Sequence, residues 1–353
     1  MNRKHLLIWA LCCFLTLPAV FTGCQKDSPK NAEPAPTVTP LARQEKLVGI
    51  CLPDESDAWT ATGEMLKTQF ADAGYQVKLT YGDGTAQRQN QLLLELVKQP
   101  VSCIVLSPVD SAALTEATDA AVAQNIPILS YGSLLMDTEA AAGYICYDYR
   151  EMGVSVAKYI EQKYTLANAE REGRSYTLEL FMGSPEDYNA MMLHKGVMSV
   201  LEPYLNTGVL ESYSRRTSFE DSCIYGWSEG AAEKACAARL QRSYGESVPD
   251  ICICASDAIA SGVIRALADV RVTQDFWPFV TGNGATSLGL ANLDGGKQAL
   301  TVRTDPNIPA AACCAMADYV MFGVKPNMPL DTTFNNVAEI PTALCGFTLI
   351  EGE

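Results

Sequence analysis

Histidine is nearly absent from this chain: 353 residues contain only His5 and His194. That shortage removes much of the usual enzyme chemistry. A Ser-His-Asp constellation would need His194 as its base, because His5 lies in the N-terminal signal segment, and no G-x-S-x-G elbow accompanies it. His194 therefore reads as an ordinary helix residue. No G-x-x-x-x-G-K-[ST] occurs, which excludes a P-loop. Gly82-Asp83-Gly84 follows a strand pattern, but it is the second strand, and Gln87 stands where a dinucleotide fingerprint needs its third glycine. No carboxylate pair is singled out for glycoside hydrolysis. There is no C-x-x-C and no Cys/His cluster at metal spacing, so neither a metal nor a cofactor is expected. Basic residues are few, 26 against 41 acidic, for a net charge of −15. Without a basic stripe, nucleic acid is an improbable partner. After Phe21 no apolar run is long enough to span a bilayer.

Cysteine, by contrast, is plentiful at 13 residues. In a small secreted domain that number would suggest disulfides, but this chain is large. Cys51, Cys103, Cys146, Cys252 and Cys254 fall inside apolar strand patterns, and buried thiols acting as small hydrophobes are the expected state. Cys24 is different. Arg3 and Lys4 precede an apolar run from Leu6 to Phe21, which ends at Thr22-Gly23-Cys24. This resembles the lipobox of bacterial lipoproteins, whose cysteine receives a diacylglyceryl group and becomes the N-terminus. Phe21 departs from the leucine usual three positions before that cysteine. The expected organisation is a signal peptide over 1–23, a lipid-anchored Cys24, and a tether over 24–45. The tether ("KDSPKNAEPAPTVTP") lacks any periodic apolar face. Loss of Arg3 and Lys4 with the signal takes the net charge from −15 to about −17.

From Lys46 onward the composition is globular, and about 300 residues predict two lobes rather than one core. Short apolar runs alternate with helix-length amphipathic segments. "KLVGICL" leads to a helix around Trp59–Ala73, "YQVKLTY" to Thr85–Lys98, and "SCIVLSP" to Ser111–Ala123. "YTLELFM" precedes Asn189–Leu201, "VLESYS" precedes Ser222–Arg242, and "DICICAS" precedes Ala258–Ala268. "PFVTG" and "QALTVRT" lead to Ala285–Asn292 and Ala310–Met321, and the tail reads as a closing strand pair, "TTFNN" with "CGFTLI". The alternation predicts an α/β protein of two doubly wound parallel-sheet lobes.

In open parallel sheets, ligands sit beyond the carboxyl ends of the strands. The residues there include Trp59, Asp83, Asp110, Ser133, Tyr149, Asn189, Asp257 and the turn Gly282-Asn283-Gly284. Carboxylates, amides, hydroxyls and rings suit a neutral polar ligand held by hydrogen bonds against aromatic faces.

Several stretches carry a resemblance in matching order: "VGICLPDESDAW", "QNIPILSYGSLL", "YDYREMG", "LELFMGSPEDYNAMMLHKGVMSVLEPYL" and "CICASDAIASG". From Lys46 to the C-terminus the chain resembles the type I periplasmic sugar-binding proteins of ABC importers, in the multiple-sugar and xylose-binding branch. The resemblance implies two lobes joined by three crossings, with a ligand enclosed between them. Lobe one is expected over 46–148 plus 305–330, and lobe two over 149–304 plus 331–353. It also implies ligand contacts from Trp59, Ser133, Tyr149, Asn189, Trp227, Asp257 and Asn283, with Gly282–Gly284 as a ligand-facing loop. Trp59, Asn189 and Asp257 match family positions that stack on or hydrogen-bond a sugar. Elsewhere the chain departs. The family has an acid–arginine pair at Gly132-Ser133, asparagine at Tyr149, arginine at Gly226, glutamine–aspartate at Asn283-Gly284 and lysine at Thr304. Charge-assisted hydrogen bonds are about twice as strong as neutral ones, so these losses imply altered specificity. The resemblance implies a monomeric, lipid-anchored receptor on the extracytoplasmic membrane face that delivers a sugar-like solute to an ABC permease. The alternative is a co-receptor presenting its liganded form to a membrane sensor kinase. Permease genes beside this one would favour the first, a histidine kinase the second. Catalysis is not expected.

Overall fold

The computed structural model describes residues 39–270 and 277–352. The signal segment and Cys24 lie outside the described residues.

The first lobe opens with a short helix α1 (Pro40–Gln44), then alternates β1 (Leu47–Leu52), α2 (Asp57–Asp72), β2 (Gln76–Tyr81), α3 (Ala86–Val97), β3 (Val101–Leu106), α4 (Thr115–Ala123), β4 (Ile128–Tyr131) and β5 (Ala141–Tyr147). Five of the six residues of β1 are buried, as expected for a central parallel strand covered on both faces. Val48, Ile50 and Leu52 point to one side with Phe70 of α2, while Cys51 faces the other side with Leu93 and Leu96 of α3.

The second lobe begins with α5 (Tyr149–Lys163) and α6 (Leu166–Glu172), followed by β6 (Tyr176–Phe181), α7 (Tyr188–Thr207), β7 (Leu210–Glu211) and α8 (Phe219–Ser222). It continues through α9 (Glu229–Arg239), β8 (Ile251–Cys254), α10 (Asp257–Asp269), β9 (Phe279–Val280), α11 (Ser287–Asp294) and β10 (Leu300–Thr304). Strands β7-β6-β8-β9 form a parallel sheet, and a bridge from Thr281 to Leu300 carries it on to β10. Helices α5 and α7 cross at a pair of glycines. A Cβ on Gly153 would lie 2.1 Å from the Leu193 carbonyl, and one on Gly196 would lie 2.0 Å from the Arg150 carbonyl. The two backbones touch directly. His194, on α7, is buried, with Nε2 2.9 Å from the Thr217 carbonyl, and its imidazole pKa is lowered mainly by burial.

After β10 the chain returns to the first lobe. Helix α12 (Asn307–Phe322) packs on its sheet, followed by the strands β11 (Asp331–Phe334) and β12 (Glu339–Cys345), and the final strand is β13 (Phe347–Glu351). The first sheet has the order β11-β12-β5-β4-β3-β1-β2, with β12 parallel to β5 and β11 antiparallel to β12. Strand β13 instead pairs antiparallel with β10. The chain thus passes between lobes three times, at Asp148, at Asp305-Pro306 and at Gly346.

Two expectations about boundaries are corrected here. Residues 331–345 belong to the first sheet, and only β13 supplements the second lobe. The antiparallel pair at the tail is β11 with β12, not "TTFNN" with "CGFTLI". The physical reason is burial: Ile340 needs the cover of Tyr144 and Cys146 on β5, and Ala343 and Cys345 need that of α12. The end of the expected tether is also structured. Thr39 caps α1, and Arg43 forms an ion pair with Asp318, which also accepts from Tyr75 Oη at 2.6 Å.

Ten cysteines lie among the described residues, none in a disulfide; nine are buried and Cys223 is half-buried. They gather in the lobe interiors, with Cys313 near Cys103 and Cys345 in the first, and Cys236 near Cys252 and Cys254 in the second. Burial pushes the thiols upward, Cys103 to about 12.

Candidate binding cleft

The ends of β3 and β4 in the first lobe face the end of β6 and the start of α7 in the second. Between them lies a cavity of about 780 Å³. That size falls within the range of small-molecule sites. The first lobe lines it with Pro108 to Ala112 and with Ser133, Leu134, Met136 and Asp137; the second lobe contributes Ser184, Glu186 to Asn189, Gly226 and Trp227.

The second-lobe wall is built around α7. Asp187 caps this helix, accepting from the backbone N–H groups of Asn189 at 2.8 Å and Ala190 at 3.3 Å. Burial raises the pKa of its carboxyl, while those N–H groups and the Trp227 side chain oppose the rise. Asn189 reaches across to the first lobe. Its Nδ2 donates to the Gly132 carbonyl at 2.8 Å, and its Oδ1 lies 2.9 Å from Tyr144 Oη. Tyr144 Oη is also 3.0 Å from the Gly132 carbonyl, so its single proton serves one acceptor at a time. Asn189 is therefore both a wall of the cleft and a clasp between lobes.

Trp227 sits in an unusual backbone position. Its φ is +53° and that of Gly226 is +63°, both left-handed. For a bulky residue this conformation is strained, and such strain clusters at functional sites. Packing holds it there. The Gly226 N–H donates to Ser184 Oγ at 2.7 Å, and the indole lies against Gly183, where a Cβ would come within 2.2 Å of Cζ2. Gly183 is what lets the ring seat against the wall.

Charge on the wall is of one sign. Asp110, Asp137, Glu186 and Asp187 line the cavity, and neither lysine nor arginine does. Like charges brought together in a binding site cost several kcal/mol, so this arrangement disfavours anionic ligands.

Of the seven residues expected at the ligand, Ser133, Asn189 and Trp227 lie on this wall. Tyr149 lines a separate cavity of about 180 Å³ on the other side of Asn189, with Tyr188 between the two. Trp59 is half-buried and packs against the first-lobe core, off the wall. Asp257 turns inward. It is 0% exposed; Oδ1 accepts from Thr301 Oγ1 at 2.7 Å and Gln298 Nε2 at 2.9 Å. Oδ2 accepts from the Thr286 N–H at 2.8 Å and Thr286 Oγ1 at 3.0 Å. The Gly282–Gly284 turn serves this carboxylate, because a Cβ at Gly282 would stand 2.4 Å from Asp257 Oδ1. Asn283 accepts the Asp257 N–H through its carbonyl at 2.9 Å, and its Nδ2 lies 3.7 Å from Met152 Sδ. The turn does not line the cavity described above. Met136, Asp137 and Asn336 line the cavity without having been expected there. Asn336 arrives through the β11–β12 turn, and no local pattern announces it.

Two lobes of parallel sheet, three crossings and a polar cleft between strand ends define a two-lobed binding protein. A family model described as "Periplasmic binding protein domain" matches residues 48–325, and the chain belongs to that family, with the type I fold. It is a solute-binding protein rather than an enzyme. Among curated relatives, the multiple sugar-binding periplasmic protein SbpA of Azospirillum brasilense is 28% identical over 80% of this chain and 79% of its own. The multiple sugar-binding periplasmic receptor ChvE of Rhizobium radiobacter is 26% identical over 86% of each chain. A solved ABC transporter solute-binding protein from Clostridium phytofermentans, with bound β-D-glucose, superposes with a TM-score of 0.78. It shares 28% identity, covering 87% of this chain and 94% of that one. Among the described residues no helix is long and apolar enough to cross a membrane.

Proposed function

We propose that the protein captures an uncharged monosaccharide or sugar-like solute in the cleft between its lobes and passes it to an ABC permease. In this reading Cys24 carries the lipid anchor, and the protein works as a monomer at the outer face of the cytoplasmic membrane. The observation that carries the ligand class is the cleft wall. Carboxylates, an amide and a tryptophan face a cavity with no basic side chain, which suits hydroxyl donors and apolar ring faces. Relatives named as sugar-binding, and a neighbour holding β-D-glucose, support the same class.

Calorimetric titration against a monosaccharide panel tests this. Saturable heat is expected from at least one neutral sugar and none from the matching uronate, whose carboxylate would face Asp187. Trp227→Ala should weaken the neutral sugar about tenfold or more, equivalent to ~1.4 kcal/mol. A uronate that binds as well as its neutral parent would overturn the reading of the wall. The anchor has its own measurement, since Cys24→Ser should leave the membrane fraction or retain its signal. A single acyl chain anchors only marginally, stable anchoring takes two signals, and diacylglyceryl supplies two chains.

A further inference from the structure

The second lobe has another concavity, of about 300 Å³, with the opposite charge character. Arg216, Arg239 and Arg242 line it, together with Ser214, Ser243 and Asp221. Three arginines line one concavity on a chain whose net charge is −15.

Each arginine is compensated to a different degree. Arg239 is buried, and its Nη1 donates to Glu179 Oε2 at 3.0 Å and to the Leu180 carbonyl at 2.7 Å. Glu179 is buried too, and also accepts from Ser214 and Tyr244, so this pair is a closed structural unit. Arg239 Nη2 remains, pointing to the Asp221 carbonyl at 3.5 Å. Arg216 Nη1 reaches the same carbonyl at 3.4 Å, which brings the two guanidiniums side by side. The nearest carboxylate to Arg216 is Asp221 Oδ1, 4.0 Å away, and both side chains are about half exposed. Such an exposed pair contributes little. The side chain of Arg242 makes no hydrogen bond or ion pair to a described residue. Neither does the Ser243 hydroxyl beside it. The pocket therefore holds one cation without a partner, one weakly paired, and free N–H and O–H donors.

We propose that this pocket binds a phosphate-class oxyanion, inorganic phosphate or the phosphate group of a monoester. Arginine's planar fork matches the oxygens of such an anion, and charge-assisted bonds of this kind are the strong ones. Arg216 and Arg242 supply the fork contacts, Ser243 adds a hydroxyl, and the buried Arg239–Glu179 pair forms the floor. The site is distinct from the cleft, whose acidic wall repels the same anion.

Titration of the full chain with inorganic phosphate, against chloride at matched ionic strength, tests the proposal. Saturable one-to-one binding is expected for phosphate, displaced by sulfate and absent for chloride. Arg242→Gln and Arg216→Gln should each weaken it about tenfold or more, and the double variant should lose it. Both side chains are solvent-exposed, so the variants should keep the parent's melting temperature in phosphate-free buffer. Phosphate and chloride giving equal responses would overturn the site. So would full phosphate affinity in the double variant. Should a variant fail to fold, protection of Arg242 from an arginine-selective reagent by phosphate in the unaltered chain replaces it. Unprotected modification then counts against the proposal.

Discussion

Asp257→Ala should unfold at a markedly lower urea concentration than the parent, with a loss of about 3 kcal/mol or more, before any ligand is added. Removing the carboxylate strands four donors at once: Gln298 Nε2, the Thr301 hydroxyl, and the Thr286 N–H and hydroxyl. A buried group left unpaired costs about 1–3 kcal/mol. Some of the four would find water or a neighbouring carbonyl, which keeps the total below their sum. Gln298 Nε2, for example, also lies 3.1 Å from the Leu300 carbonyl. Asp257→Asn should fall between, since one end of the amide presents a donor to another donor. The same measurement decides the role of the residue. A variant that kept the parent's urea midpoint but lost its sugar would place Asp257 on the ligand after all.

The second large effect belongs to the crossing of α5 and α7. Gly153→Val is expected to abolish soluble expression or to cost more than about 3 kcal/mol, the upper range for overpacking. Overpacking is usually relieved by neighbouring side chains. Here the obstacles are the Leu193 carbonyl at 2.1 Å and the Val197 nitrogen at 2.8 Å, both backbone. The helices must separate. Because α7 carries Asp187 and Asn189 at its start, and α5 carries Tyr149 directly after the first crossing, separation would also move the cleft wall. Gly153→Ala should show the same defect in milder form. Melting temperature and sugar affinity should fall together in it, and a normal melt in Gly153→Val would mean that the helices do not touch as described.

Much of the framework is legible in the sequence, for a reason visible in β1 and β3. Parallel strands covered on both faces must be apolar nearly throughout, so "LVGICL" and "SCIVLSP" stand out without help from neighbours. Strand ends follow, and with them Ser133, Asn189 and the Gly183–Asn189 segment. What the sequence conceals is direction. Asp257 lies beyond a strand end like the others, yet Gly282 and Gly289 leave space that draws it inward. That space depends on residues about thirty positions away. Strand β12 is obscure for a related reason. Its run "EIPTALC" contains Pro341 and only partial alternation, and its place is settled by pairing with β5 nearly two hundred residues earlier. The Pro- and Ala-rich segment before Lys46 reads uniformly as tether, but Arg43, held by Asp318 and the Ala73 carbonyl, anchors its end.

The sequestered sulfur has a consequence for how this molecule can fail. Ten free thiols lie among the described residues, nine of them buried. Thiol oxidation proceeds through the thiolate, and burial suppresses that form. Opening a lobe in an oxidising medium would release several thiols together, free to join in mismatched pairs that block its reclosure. Denaturation would then be a ratchet, and survival would be governed by how seldom a lobe opens rather than by how well it refolds.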